Sequence, residues 1–128
     1  MAKLRFTLED LTDGCRRLKE NQRFAPGFDK MTPGAAEIWL KINGERLCNQ
    51  LNSGKYHVMP AMGFSVAKKD GKFRRLVRLT ALDSIIQYAA TEQLLPFCAE
   101  HFSQFSYAYQ KGKSIGNALD QYCKYAFE

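Results

Sequence analysis

A chain of 128 residues, of which 45% are hydrophobic, is long enough to bury a core without disulfides or metals, and we expect one domain over residues 1–128. The sequence contains no apolar run of membrane-spanning length and no signal-peptide core near its start, which predicts a cytoplasmic protein that makes no contact with a membrane. Its net charge of +6 is carried almost entirely by residues 68–78.

Four cysteines are scattered through the chain, at positions 15, 48, 98 and 123. Most of them fit apolar helix faces, so we predict buried free thiols rather than disulfides. Cys98 and His101 form at most half of a zinc ligand set, and no second half lies nearby in the sequence. We therefore predict no metal site in this chain.

The first predicted element is a helix in the N-terminal segment, residues 1–24. Thr7 and Asp10 have the spacing of a capping box, and leucines recur at helical spacing after them. This pattern predicts a helix from about Leu8 to Asn21.

A loop follows over residues 24–32. Pro26 and Gly27 indicate a turn, and an aspartate in such a loop commonly accepts a hydrogen bond from its own downstream backbone. We expect Asp29 to do so.

A second helix is predicted after this loop, with Thr32 as N-cap and Pro33 in the first helical position. It ends at the Asn-Ser-Gly sequence of residues 52–54. We interpret Trp39 as a core anchor rather than a base-stacking residue. Residues 55–60 form an extended connection to the next element.

Residues 62–79 predict a β-hairpin around the dipeptide Asp70-Gly71. Such a dipeptide between apolar residues favours a two-residue turn with φ > 0 at both positions. In that register one nearly dry face carries Met62, Phe64, Val66, Arg75, Val77 and Leu79. The small, cationic face carries Gly63, Ser65, Ala67, Lys69, Lys72, Arg74, Leu76 and Arg78. Lys68 and Arg74 are then on opposite faces.

The hairpin concentrates positive charge at its turn. Six cations surround the single Asp70: Lys68, Lys69, Lys72, Arg74, Arg75 and Arg78. Such a cluster repels itself unless it is hydrated or meets an anion, and phosphate is the anion that we favour. The alternative is an edge hairpin kept soluble by its lysines and arginines.

Two more helices are predicted after the hairpin. Thr80 and Asp83 have capping-box spacing, and the helix that follows is kinked or stopped by Pro96. Ser114 caps the last helix. The loop between them carries several aromatic residues followed by two lysines, which is suited to stacking bases or, equally, to packing under neighbouring helices. The fold class is therefore α+β, with helices flanking one antiparallel hairpin.

No catalytic constellation is apparent in the sequence. Phosphoryl or nucleotidyl transfer usually needs carboxylates that converge on divalent metals, whereas the thirteen acidic residues here are scattered. We therefore predict a binding domain that has no catalytic residues of its own.

Five segments occur in an order that resembles the fingers region of bacterial reverse transcriptases of the group II intron type, including retron-like and CRISPR-associated relatives. Residues 26–32 resemble the family's Pro-Gly-x-Asp-x-x-Thr loop, and residues 51–56 resemble its Leu-x-x-Gly-x-Tyr segment. Residues 68–76 resemble its Lys-x-x-Gly-x-x-Arg-Pro-Leu hairpin, and Asp83 and Gln87 fit its Asp-Arg-x-x-Gln helix. Residues 102–118 resemble its Phe-x-x-x-Ser-Tyr-Gly-Phe-Arg-x-Gly-Arg-Ser segment, which is followed by an Ala-bearing helix. Arg75 replaces the usual Pro, Ser84 replaces Arg, and Ala-Tyr-Gln at residues 108–110 replaces Gly-Phe-Arg, which implies a divergent branch.

The resemblance implies roles for particular residues. Lys68 and Arg74 would hold the triphosphate of the incoming deoxynucleotide (dNTP). Since the two-residue turn puts them on opposite faces, this role implies either a wider loop or long side chains that reach around the tip of the hairpin. The remaining predicted contacts, with template or other nucleic acid, are Gly27, Asp29, Lys69, Lys72, Arg75, Arg78, Tyr107, Lys111 and Lys113.

The resemblance also implies a parent enzyme, an RNA-directed DNA polymerase that works on an RNA template, a DNA primer and dNTP. Its palm and thumb are absent from this chain, and its Mg²⁺ ions would be bound by palm aspartates expected beyond Glu128. This chain would be inactive by itself. Two alternatives remain open: a self-standing RNA-binding module that uses the basic hairpin and the aromatic loop, and an interaction domain for an acidic protein.

Overall fold

The structure, a computed structural model, describes residues 3–127 of the chain. Its elements are α1 (Leu8–Glu20), α2 (Pro33–Asn52), β1 (Met62–Ala67), β2 (Phe73–Arg78), α3 (Ala81–Ala99) and α4 (Ile115–Phe127). This confirms an α+β chain with four helices and one antiparallel two-stranded hairpin. The chain divides into two compact units, Met1–Gln93 and Leu94–Glu128, and the point of division lies inside α3.

The helix starts in the first unit follow from local sequence. Thr7 accepts a hydrogen bond from the backbone of Asp10, and the Asp10 carboxylate bonds back to the Thr7 N–H, so the predicted capping box is confirmed. Thr32 caps α2 through the Ala35 N–H, with Pro33 in the first turn. Both predicted helices therefore form close to their predicted bounds.

The core of the first unit is built from three helices. Its fully buried large apolar side chains are Leu11 and Leu18 of α1, Leu47 of α2 and Ile85 of α3. Burial of each such side chain contributes about 1.5–3 kcal/mol. Trp39 packs against this cluster as a partly buried residue, in agreement with its predicted role as a core anchor.

The hairpin turn differs from the prediction. The Gly71 N–H donates to the Lys68 carbonyl at 3.1 Å, and the Lys68 N–H donates to the Lys72 carbonyl at 2.7 Å. The loop therefore has three residues, 69–71, and only Gly71 has positive φ, at 79°. Asp70 keeps a negative φ and its carboxylate instead accepts a hydrogen bond from the Lys72 N–H at 3.1 Å.

The wider loop shifts the strand register by one residue. Phe64 pairs with Leu76 and Val66 pairs with Arg74, whereas the two-residue turn predicted Val77 and Arg75 as their partners. Since side chains alternate along a strand, this shift exchanges the faces of β2 relative to β1. The predicted dry face is also wrong, because Val66 is 44% exposed and Val77 is 66% exposed.

Helix α3 begins as predicted and continues past Pro96, the residue expected to kink or stop it. Thr80 accepts a hydrogen bond from the Asp83 N–H, as an N-cap does. The helix includes Pro96 and ends at Ala99. A proline removes one backbone donor, and here the helix continues for three residues past it.

The second unit contains the end of α3, the aromatic loop and α4. Ser114 caps α4 through the Asn117 N–H, and the Asn117 side chain accepts from the Ser114 N–H in return, so the predicted cap is confirmed. No side chain of α4 is buried among the described residues, and Ile115 and Tyr122 of its apolar stripe are 81% and 68% exposed.

The cysteine prediction holds for two of the four residues. Cys15 and Cys48 are buried free thiols, and burial raises the pKa of each. Cys98 and Cys123 are also free but exposed, so their predicted burial is wrong. The apolar positions that these two cysteines occupy lie in the C-terminal half of α3 and in α4, where most side chains are exposed.

Among residues 3–127, no helix combines the length and the apolar character that crossing a bilayer requires.

Candidate nucleic-acid interface

The observed register brings the two residues predicted to bind triphosphate onto one face of the hairpin. Arg74 lies opposite Val66, and Lys68 follows Val66 by two residues, which keeps it on the same face. The prediction that they lie on opposite faces is therefore wrong. We call the set that shares this side the cationic face; its members are Lys68, Lys72, Arg74 and Arg78.

The other hairpin cations lie elsewhere. Arg75 pairs with Ser65 on the opposite face, together with Val77 and Phe73. Lys69 lies in the turn, between the two strands. The structure thus separates the six cations into four that share one side of the ribbon and two that do not.

Spacing along the strands sets the reach of the cationic face. Lys68 and Lys72 flank the turn, and Arg74 lies two residues further along β2. Two residues of strand span about 7 Å. The long side chains of Lys68 and Arg74 can therefore approach one polyphosphate from neighbouring positions, the lysine as a point charge and the arginine as a bidentate donor.

The cationic face is not neutralised within the described part of the chain. The ion pairs found among residues 3–127 involve cations of α1 and α2 only. Asp70 is the single carboxylate of the hairpin, and its Oδ1 accepts the Lys72 backbone N–H. Two unit charges 7 Å apart repel by about 0.6 kcal/mol in water, so an anion on this face would relieve several such repulsions at once.

Arg78 is held differently from the cations near the turn. It is half-buried, and its guanidinium carbon lies 4.8 Å from the centre of the Phe64 ring on the paired strand. This cation–π contact fixes the planar group over an aromatic face. Arg78 therefore offers an oriented fork at the base of the hairpin, whereas Lys68 and Arg74 are exposed.

A cleft of about 530 Å³ opens beside Phe64 and Arg78 at the hairpin base. Its polar lining includes Arg23 from the segment after α1, and Ser84 and Gln87 from α3. No role was predicted for Arg23, because no sequence pattern near residue 23 indicates that it lies in the same cleft as Arg78. The cleft extends the positive surface from the cationic face toward α3.

Gly27 and Asp29 have structural roles in the loop between α1 and α2. Gly27 is buried, and a Cβ atom built on it would lie 2.5 Å from the Leu79 carbonyl oxygen. Asp29 Oδ1 accepts the Met31 N–H at 3.1 Å, which confirms the expected local turn. Their predicted contact with nucleic acid stays a prediction.

Asp83 is the centre of a buried hydrogen-bond cluster that neither its cap spacing nor its place in the Asp-Arg-x-x-Gln pattern indicated. It is 6% exposed, and its carboxylate accepts hydrogen bonds from the Tyr56 hydroxyl, the Met59 N–H and the Thr80 hydroxyl at 2.7, 3.1 and 2.8 Å. Burial, followed by the hydrogen bond to Asp83, raises the pKa of Tyr56 far above its ordinary value. This shift favours the protonated hydroxyl, which is the form that donates to Asp83.

The aromatic loop lies in the second unit, where two of its three predicted contact residues interact. Lys113 Nζ lies 5.6 Å from the centre of the Tyr107 ring and donates to the Ser106 carbonyl at 3.0 Å. Lys111 is exposed, and so is Tyr109, which has a positive φ of 58°. This loop combines an aromatic surface with two cations, and its role stays a prediction.

Comparison with known proteins adds one similarity. The chain is 28% identical over 94 residues to the protein named YkfC of Escherichia coli strain K12, a match that covers 73% of this chain and 25% of YkfC. The chain thus spans about a quarter of the length of that relative. No family model matches the sequence.

Proposed function

We propose that this chain is the fingers region of a bacterial reverse transcriptase of the group II intron, retron or CRISPR-associated type. In this proposal the cationic face binds phosphates of the incoming dNTP and of the template strand. Lys68 and Arg74 hold the triphosphate, and Arg78 with the cleft at the hairpin base contacts nucleic acid. The parent enzyme polymerises DNA on an RNA template from a DNA primer.

The observation that carries this proposal is the side that Lys68 and Arg74 share. The resemblance assigns both to one triphosphate, and a shared face lets both side chains reach it without curling around the tip of the hairpin. Both side chains are exposed, and no described carboxylate lies within ion-pair distance of either. They are therefore free to bind a polyphosphate.

The chemistry asked of these residues is charge neutralisation. Negative charge accumulates on the phosphates as pyrophosphate leaves, and preorganised cations stabilise that state better than water does. Lysine follows the moving charge on a flexible stem, whereas arginine binds two oxygens at once.

The described residues do not fit the Mg²⁺ that such a reaction uses. Among residues 3–127, no group of three or more His, Cys, Asp or Glu side chains is placed to hold a metal ion. In the proposal, Mg²⁺ is bound by palm residues outside this chain. The coding sequence after residue 128 tests this directly: an Asp-bearing strand followed later by Tyr-x-Asp-Asp supports the polymerase, and the absence of both removes it.

A second candidate is a self-standing RNA-binding module. The observation that favours it is the exposed aromatic and basic loop of the second unit, in which Lys113 contacts the Tyr107 ring. A module of this kind binds single-stranded RNA but shows no preference for a nucleoside triphosphate over an oligonucleotide. The fingers region of a polymerase, within its parent enzyme, must in contrast bind the nucleoside triphosphate that is the substrate.

Adjacent arginines on opposite faces provide a sharp test of the cationic face. Arg74 and Arg75 are both exposed and carry the same charge on the same strand, but only Arg74 is on the cationic face. We expect Arg74→Ala to weaken binding of a single-stranded oligonucleotide several-fold and to reduce the slope of log K against log salt by about 0.7, the value of one phosphate contact. Fluorescence anisotropy across a salt series measures both.

Arg75→Ala is the matched control in that experiment and should have the smaller effect. Equal losses in the two variants would show that net charge alone matters and would contradict the assignment to one face. Salt-independent binding by the unmodified chain, or none at low salt, would remove the nucleic-acid proposal altogether and leave the acidic-protein alternative.

A further inference from the structure

Both ends of the hairpin are attached to one carboxylate. The chain enters the hairpin through residues 55–61, where the Tyr56 hydroxyl and the Met59 N–H donate to Asp83. It leaves through Leu79 and Thr80, and the Thr80 hydroxyl donates to Asp83 Oδ2. Asp83 itself lies in the first turn of α3, which belongs to the helical core of the first unit.

Independent contacts hold the exit from the hairpin in place. Thr80 is fully buried, and its backbone carbonyl accepts hydrogen bonds from the Ser84 N–H and the Ser84 hydroxyl. Gly27 packs directly on the peptide that joins Leu79 to Thr80. The entry has fewer contacts of this kind, since the hydrogen bonds found for residues 56–61 outside the hairpin both end on Asp83.

A small rotation of the hairpin at this attachment produces a larger displacement at its turn. Its strands have six residues each, and strand plus turn place the Lys68 end about 20 Å from the base. A rotation of about 5° at the base therefore moves the turn by about 2 Å. A misplacement of about 1 Å in groups that align a reacting substrate can reduce the rate on the order of a hundredfold.

We infer that Asp83 is a positioning residue, which joins the entry and exit of the hairpin to α3 and so fixes where the cationic face is held relative to the rest of the first unit. Asp83 touches no phosphate in this scheme and acts through Tyr56, Met59 and Thr80. The functional consequence rests on the proposed function, whereas the attachment itself is a property of the fold.

Asp83→Asn tests the inference without changing any hairpin cation. The amide is uncharged and keeps one acceptor oxygen, and its –NH₂ group faces one of the present donors, so that hydrogen bond is lost or reversed and the others lose the charge of the acceptor. We expect amide hydrogen exchange in residues 56–79 to be roughly tenfold faster, with exchange in α1 and α2 unchanged. We also expect weaker oligonucleotide binding with an unchanged salt slope, because the number of phosphate contacts stays the same.

Two further variants make the result decisive. Tyr56→Phe removes a single donor and keeps the Asp83 charge, so it gives a smaller change in the same direction and serves if Asp83→Asn does not fold. Asp13→Asn, an exposed aspartate on α1, is the matched control and should change neither readout.

The possible outcomes separate this inference from the proposed function. Wild-type exchange across the hairpin in both Asp83→Asn and Tyr56→Phe overturns the attachment, whatever the chain binds. Faster hairpin exchange with unchanged oligonucleotide affinity overturns the positioning role. If the unmodified chain binds neither tripolyphosphate nor oligonucleotide at low salt, the proposed function fails, whereas the exchange data still decide whether Asp83 holds the hairpin.

Discussion

In the polymerase that we propose to contain this chain, the double substitution Lys68→Ala and Arg74→Ala raises KM for dNTP by about a hundredfold or more and lowers the extension rate. Each side chain makes a charge-assisted hydrogen bond to the triphosphate in this scheme, and such bonds contribute about 1.5–3 kcal/mol each. A loss of 1.4 kcal/mol corresponds to a factor of ten in affinity. Steady-state extension of a primed RNA template with varied dNTP measures both parameters.

The matched control removes two cations from elsewhere on the first unit. Arg16 on α1 and Lys41 on α2 are both well exposed, with side chains 62% and 72% accessible, and their ion pairs are of the surface type that contributes little to stability. Arg16→Ala with Lys41→Ala should leave KM for dNTP within about twofold of wild type. Equal effects of the two double variants, or unchanged kinetics after substitution of Lys68 and Arg74, would remove the triphosphate assignment.

Local sequence was sufficient to predict where the helices begin. Thr7, Thr32, Thr80 and Ser114 each cap the helix that follows, as their spacing predicted. Caps are predictable because the donor and the acceptor lie within three residues of each other and need no tertiary partner. Helix ends were less predictable, since Pro96 was expected to kink or stop α3 and lies inside a helix that continues to Ala99.

The length of the hairpin turn, and with it the strand register, differs by one residue from the prediction. Asp70-Gly71 is compatible with a two-residue loop and also with a three-residue loop that needs only Gly71 at positive φ. The second arrangement lets the Asp70 carboxylate accept the Lys72 N–H. The sequence pattern does not separate these two, and the difference decides whether Lys68 and Arg74 share a face.

Long-range contacts account for the remaining differences. Nothing near Asp83 in the sequence indicates that Tyr56 and Met59 donate to it, since they lie 27 and 24 residues away. Arg23 lines the hairpin cleft for the same kind of reason. Periodicity correctly shows that α4 has an apolar side, but periodicity cannot say whether a neighbour covers that side, and Ile115 remains 81% exposed.

A single methyl group at Gly27 should destabilise the first unit by about 1–3 kcal/mol, the usual cost of overpacking a close contact. The added Cβ would lie 2.5 Å from the Leu79 carbonyl oxygen and 2.9 Å from the Thr80 nitrogen. Both atoms belong to backbone that is fixed at the exit of the hairpin, so neither can move without disturbing the cap of α3. Thermal unfolding should show a Tm lower by about 4 °C or more for each kcal/mol lost.

Gly34→Ala is the matched control for this prediction, because nothing lies within 4 Å of the Cβ position there and the residue lies in the first turn of α2. Alanine in a helix is favoured over glycine by up to about 1 kcal/mol, so this variant should be as stable as wild type or slightly more stable. An unchanged Tm for Gly27→Ala would show that the 24–32 loop does not pack on the hairpin exit. In that case Gly27 would be available for the nucleic-acid contact that the resemblance implies, whereas a large loss of stability gives its identity a sufficient structural cause.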